Sequence, residues 1–203
     1  MTLAQLINVL YNLVDKIYIG HLPSASTDAL TGMGLAMPVI TIITAFANLY
    51  GMGGAPFFSI ARGAREEEKA RTIMGTAFSM LIITGAVLTA VFEIFHGPVL
   101  KLFGASPETF GYARDYLTIY LIGTVFVMIS LGMNGFINAQ GFGRTGMCTV
   151  LIGAVLNIIL DPVFIFVLDM GVKGAAAATV ISQAMSALWV VAFLTGKRAL
   201  IRL

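Results

Sequence analysis

Charge is what this sequence has least of. Only 11% of its 203 residues are Asp, Glu, Lys or Arg, against roughly a quarter in ordinary soluble domains. That shortage, more than the 58% of hydrophobic residues, excludes a water-facing surface. The single cysteine, Cys148, excludes a disulfide framework within the chain and a Cys-rich metal site, and it reads as inert packing. A net charge of +2, with basic residues not clustered among aromatics, excludes nucleic acid as a partner. The two histidines, His21 and His96, fall at the ends of apolar segments, so no Ser–His pair supports an intramembrane serine protease. A cleavable signal peptide is not expected either. The N-terminus lacks a basic start, and its apolar run carries Asn8, Asn12 and Asp15.

What the sequence has instead is long apolar runs, with a mean hydropathy of +0.93. A membrane helix needs roughly 20 mostly apolar residues. Six stretches qualify, at about 2–20, 29–57, 72–95, 112–138, 146–168 and 172–195. The breaks are short and carry turn chemistry: HLPSASTD, RGAREEEKAR, HGPVLKLFGASPE, QGFGRTG and DMGVKG. No soluble domain or low-complexity linker interrupts them. The expected fold is all-α, a polytopic membrane protein with one membrane domain over 1–203 and the lipid bilayer as its solvent.

Lys and Arg in the connections give an orientation. Arg62, Arg65, Lys69, Arg71, Arg144, Lys197, Arg198 and Arg202 fall on one side, and Lys101, Arg114 and Lys173 on the other. Eight against three predicts that both chain ends face the cytoplasm. Lys16 lies within the first span.

Depth follows from orientation. Asp15 is thirteen residues after Thr2, and Asp161 sixteen after Thr145, both on spans rising from the cytoplasm. At 1.5 Å per residue the two carboxylates share one depth, roughly 20–24 Å above the inner boundary. A charge near a helix centre costs about 2.5–3.5 kcal/mol, so it faces a cavity or a partner. Asn8, Asn12 and Asp15 are spaced i, i+4, i+7 on one helical face. Asn157 and Asp161 share a face as well, and Pro162 removes the amide that would bond the carbonyl of Ile158. A free carbonyl beside a carboxylate suits a proton, water or cation. Ser130, Asn134 and Asn138 make a further polar stripe on the fourth span, with Tyr116 and Tyr120 at its outer end. Two bland readings stay open here: Asp15 and Lys16 as a snorkelling pair, and Asp161 as a lock satisfied by Asn157. Gly51, Gly53 and Gly54 have no following Lys and read as close helix packing, as does the 174–178 run.

Taken in order, YNLVDKIYIG, ALTGMGLAMP, LFGASPE, IGAVLNIILDPVFIF and GVKGAAAATVISQ carry a resemblance. The chain resembles the N-terminal six-helix lobe of the multidrug and toxic compound extrusion (MATE) transporters, especially their DinF-like and MepA-like bacterial members. The resemblance implies a drug/cation antiporter, not an enzyme, in a bacterial cytoplasmic (inner) membrane. It implies two six-helix lobes around a central cavity, no cofactor, and cationic amphiphilic small molecules as substrates. A proton or sodium ion would couple at Asp15, Asn157 and Asp161, with sodium the only metal implied. Tyr116 and Asn8 match further lobe-lining positions, and Asn12 and Asn134 are added as cavity candidates. Relatives often have Arg near the end of the fourth span, where this chain has Asn138 in NAQGFGR. With six spans, the expectation is a piece whose second, C-terminal lobe is missing, or else a half that pairs with a second half-transporter.

Two rival readings follow from the same residues. A lipid or polyprenyl-oligosaccharide flippase of the same superfamily calls for a cavity rich in Arg and Lys, and only Lys16 is read as lying within a span, Arg114 and Lys173 at span edges being counted with the connections. An intramembrane aspartyl protease carries Gly before one catalytic Asp, whereas Val14 and Leu160 precede Asp15 and Asp161 here.

Overall fold

The computed structural model describes residues 13–14, 17–20 and 26–203. Most of the first predicted span, with Asn8, Asn12, Asp15 and Lys16, lies outside the described residues. Six helices follow: α1 Ser26–Gly63, α2 Glu67–Leu102, α3 Pro107–Ile122, α4 Thr124–Ala139, α5 Gly143–Pro162 and α6 Val172–Thr195. Among the described residues there is no strand. Among the described residues four helical segments are long and apolar enough to cross a membrane, and α3 with α4 makes a fifth if that bent pair is one span. The sixth predicted span coincides with α6.

α1 and α2 run well past their predicted spans of 29–57 and 72–95. Hydropathy marks where lipid ends, but backbone hydrogen bonding needs no lipid, so both helices continue into water. At 38 residues, α1 would be about 57 Å long by the standard rise, against a hydrocarbon core of roughly 30 Å. Most of RGAREEEKAR is therefore helix, and the reversal is made near Arg65, whose φ of 62° is left-handed. HGPVLKLFGASPE likewise stays helical to Leu102. α3 then starts on a reciprocal cap. Thr109 N donates to Ser106 Oγ at 3.3 Å, and Ser106 N donates to Thr109 Oγ1 at 3.0 Å.

The fourth predicted span, 112–138, is not one straight helix. It breaks at Gly123 and bends by 58° between α3 and α4. The cause is packing from α6: a Cβ on Gly123 would lie 2.6 Å from a methyl of Val180. Only a glycine admits that side chain at the bend.

The helices close around a core that includes Ile43, Phe58, Met74, Leu81, Leu117, Met128 and Phe136, all fully buried. α1 lies against α2, α3 and α4, and α6 against α4, α5 and α3. Outward faces are as apolar as the core: Leu49, Met52, Phe57 and Ile60 on α1, and Ile83, Val87 and Ile94 on α2, are exposed. A surface of that kind is solvated by lipid or covered by protein.

The two ends differ in charge. Arg62 Nη1 donates to Ala139 O at 2.7 Å, and Gln140 bonds the backbone of Leu200 and Ile201. These contacts gather the α1–α2 turn, the α4–α5 turn and the C-terminal tail at one basic end. At the other end Lys173 pairs with Asp115 at 3.3 Å and Lys101 lies over the Phe110 ring.

Candidate cation site and cavity

α5 carries the polar pair inward. Asp161 is fully buried and Asn157 is 2% exposed. One helical turn apart, they meet directly: Asn157 Nδ2 donates to Asp161 Oδ1 at 3.1 Å and reaches Thr179 Oγ1 on α6 at 3.3 Å. Asn157 Oδ1 is buried with no hydrogen-bond partner among the described residues. Buried amide oxygens are normally satisfied, so this one is available to a further donor or cation.

At Pro162 the winding changes without ending the span. Val163–Val167 is π-helical, with Leu168 N donating to Val163 O at 2.9 Å. Pro162 has no N–H, and the wider turn is how the chain continues past it. α6 packs closely on this turn, since a Cβ on Gly174 would meet Phe164 O at 2.6 Å. The 17–20 stretch reaches the same place, where Tyr18 sets its ring edge-on to Phe166 at 6.2 Å.

Thr179 also lines a cavity of about 200 Å³ between α1, α3, α4, α5 and α6. Polar atoms enter it from Ser130, Asn134, Thr149, Gln183 and Ser186, and its apolar wall includes Met33, Met37 and Ile40. Tyr116 and Tyr120 line it as a stacked pair, 6.0 Å apart at 17°. Ser130 Oγ donates to Gln183 Oε1 at 2.7 Å, which ties α4 to α6 across the floor. Thus Tyr116, Tyr120, Ser130 and Asn134 come together despite the bend. Asn138, the last of the predicted stripe, is exposed and lines no part of the cavity. Asn157 and Asp161 lie behind the wall, joined to it through Thr179.

The contribution of α6 was absent from the sequence reading. Its signal was present, because Thr179, Gln183 and Ser186 repeat the i, i+4, i+7 spacing noted on the first span. The preceding alanines masked it as a packing surface. Gly51 and Gly54 do serve close packing: their Cβ atoms would meet Gly132 O at 2.5 Å and Phe136 Cζ at 2.8 Å. Gly53 faces open space.

The described chain is thus an apolar helical unit with a fully buried carboxylate near an internal cavity. The MatE family model matches residues 1–163, and the chain belongs to that family of multi-pass membrane transporters. It is 29% identical to the multidrug export protein MepA of Staphylococcus haemolyticus (strain JCSC1435) over 197 residues, 97% of this chain and 43% of that protein. MepA of Staphylococcus aureus (strain NCTC 8325 / PS 47) is 28% identical over 193 residues, covering 95% and 42%. A solved MATE structure in the bent conformation superposes with a TM-score of 0.89 at 30% identity, over 97% of this chain and 43% of that one. The chain therefore spans less than half the length of these relatives.

Proposed function

We propose that this chain is the N-terminal lobe of a multidrug exporter driven by an inward proton or sodium gradient. The observation that carries the reading is the fully buried Asp161, bonded to Asn157 and linked through Thr179 to the cavity. A carboxylate kept from water costs several kcal/mol unless it is neutralised or well paired. A proton or a sodium ion taken up beside Asp161 would change the charge of the whole site. Asp161, the orphaned Asn157 oxygen and Thr179 are all oxygen donors, the kind a hard cation takes. Asp15 belongs with them in this reading. The described stretch just after it packs on the π turn that follows Pro162.

Exchange follows from competition between cation and substrate. With Asp161 ionised, the lobe favours a state whose cavity accepts a cationic amphiphile against Tyr116, Tyr120 and Gln183. Cation uptake at Asp161 removes the charge, changes the packing around Pro162 and weakens substrate binding. Only such differential affinity between two states couples the two movements. At about 200 Å³ the cavity is smaller than the roughly 300–1,000 Å³ of drug-sized sites. The rest of the substrate chamber would come from a second lobe, supplied by the C-terminal half of a longer chain or by a second half-transporter. Among the described residues the cavity lining carries neither Lys nor Arg, which disfavours a phosphate-bearing flippase substrate. Both termini are assigned to the cytoplasm on the strength of the basic end.

The test is gradient-driven drug uptake into inverted vesicles by a complete transporter containing this lobe. Asp161→Asn is expected to abolish coupled transport while leaving membrane insertion intact. Undiminished coupled transport by that variant would sink the proposal.

A further inference from the structure

A second cavity, of about 350 Å³, lies at the basic end, away from the cation site. Its walls are Trp189, Ala192 and Phe193 on α6, with Gly196, Lys197 and Arg198 in the turn beyond. Its volume is many times the roughly 30 Å³ a water molecule takes, so there is room for a polyatomic group. Trp189 and Phe193 are one helical turn apart and form an apolar wall. Lys197 and Arg198 are exposed, and neither is ion-paired among the described residues. Two full positive charges outweigh the roughly half negative charge of the helix C-terminus they flank.

The groove is rigid on both sides. Phe193 is held by the edge-on ring of Phe142 at 5.1 Å. Past the basic pair, the chain is latched by Gln140, which is only 2% exposed. Its Oε1 accepts from Leu200 N at 2.8 Å and Ile201 N at 3.1 Å, and its Nε2 donates to Ile201 O at 3.1 Å. Leu203 N donates back to Leu194 O at 3.0 Å, and Ala199 and Ile201 are buried. The backbone that carries Lys197 and Arg198 is thus held between the end of α6 and the Gln140 latch. The backbone share of the ordering cost of binding is therefore already met.

We propose that this groove holds the phosphate headgroup of an anionic phospholipid in the leaflet at the basic end. Lys197 and Arg198 take the phosphate, and Trp189 lies against the glycerol and the first acyl carbons. Aromatic residues favour that headgroup level, and basic residues there attract anionic lipid. The inference stands apart from the reading of Asp161 and from the identity of any exported substrate.

Trp189 is the sole tryptophan of the chain, so its fluorescence reports on the groove alone. The experiment titrates the full chain, in detergent, with brominated phosphatidylglycerol and, separately, brominated phosphatidylcholine. Quenching by phosphatidylglycerol is expected to saturate at lower lipid. The Lys197→Gln/Arg198→Gln variant should lose that preference by roughly tenfold or more. The Arg65→Gln/Lys69→Gln variant removes equal charge from the same end outside the groove, and should keep it. Equal loss in both variants would reduce the effect to diffuse charge and overturn the site. Relief of quenching by inorganic phosphate would overturn a lipid ligand in favour of a free anion. Gln140→Ala supplies a second arm. Releasing the latch should weaken the preference with no change in charge, and an unchanged preference would overturn the preorganised groove.

Discussion

Replacing Gly51 by Ala tests whether α1 and α4 meet backbone to backbone. A Cβ there would lie 2.5 Å from Gly132 O and 2.7 Å from Gly132 Cα, whereas ordinary contact begins at 3.4 Å. The helices would have to part by about 0.9 Å at the crossing. α4 has little room to retreat, because Leu81 of α2 stands behind Gly132 so closely that a Cβ on Gly132 would meet it at 2.7 Å. A gap of that size forfeits a quarter to a half of each dispersion contact around it. Overpacking costs about 1–3 kcal/mol, and the better helix propensity of Ala returns about 1 kcal/mol. The expected net loss is about 0–2 kcal/mol, a fall in Tm of up to roughly 8 °C for a chain of this size. Gly53→Ala is the matched control. Nothing lies within 4 Å of its added methyl, so only the propensity gain applies, and Tm should hold or rise by roughly 2–4 °C. Thermal unfolding of the three proteins in one detergent, followed by circular dichroism, measures both shifts. A Gly51→Ala protein as stable as the Gly53→Ala protein would refute the reasoning.

Two further outcomes follow from particular contacts. Thr179→Val keeps the shape of the side chain but removes the hydroxyl that meets Asn157 at 3.3 Å. Cation affinity should fall roughly two- to tenfold with Tm little changed, as calorimetric titration would show. The control is Thr195→Val, whose exposed hydroxyl bonds only to Val191 O on its own helix, and an equal effect from it would contradict the assignment. Lys173→Gln breaks a pair whose side chains are 53% and 45% exposed, so it should cost at most about 1 kcal/mol and less at high salt. A larger loss, or one indifferent to salt in thermal melts, would count against that exposed placement.

Most of this architecture was legible because lipid imposes so few solutions. Long apolar runs in a charge-poor chain become helices, and α6 fell on its predicted limits for that reason. Where the helices outrun the apolar runs, as at Arg62 and along Glu67–Arg71, hydropathy marks the bilayer boundary but not the end of backbone hydrogen bonding. The bend at Gly123 was illegible, since its cause is Val180, a residue 57 positions away. Sequence spacing did bring out Asn157 with Asp161, and Ser130 with Asn134, because helical periodicity alone decides which residues share a face. It did not show that Asn157 reaches across to Thr179, or Ser130 to Gln183. Those pairings depend on how α4, α5 and α6 are rotated against one another. Lys197 and Arg198 were visible in the sequence as part of the basic side, whereas Trp189 was not tied to them. Their convergence into one groove depends on Gln140, whose side chain joins two connections about 60 residues apart.

The central claim is that Asp161 and its neighbours bind the coupling cation. Calorimetric titration of the full chain with sodium, against a potassium control and alongside proton release in weak buffer, tests it most directly. The account predicts saturable binding of sodium or of a proton by the wild-type chain, and its loss in Asp161→Asn at unchanged helical content. Binding that persists in Asp161→Asn with the same affinity and stoichiometry would contradict it.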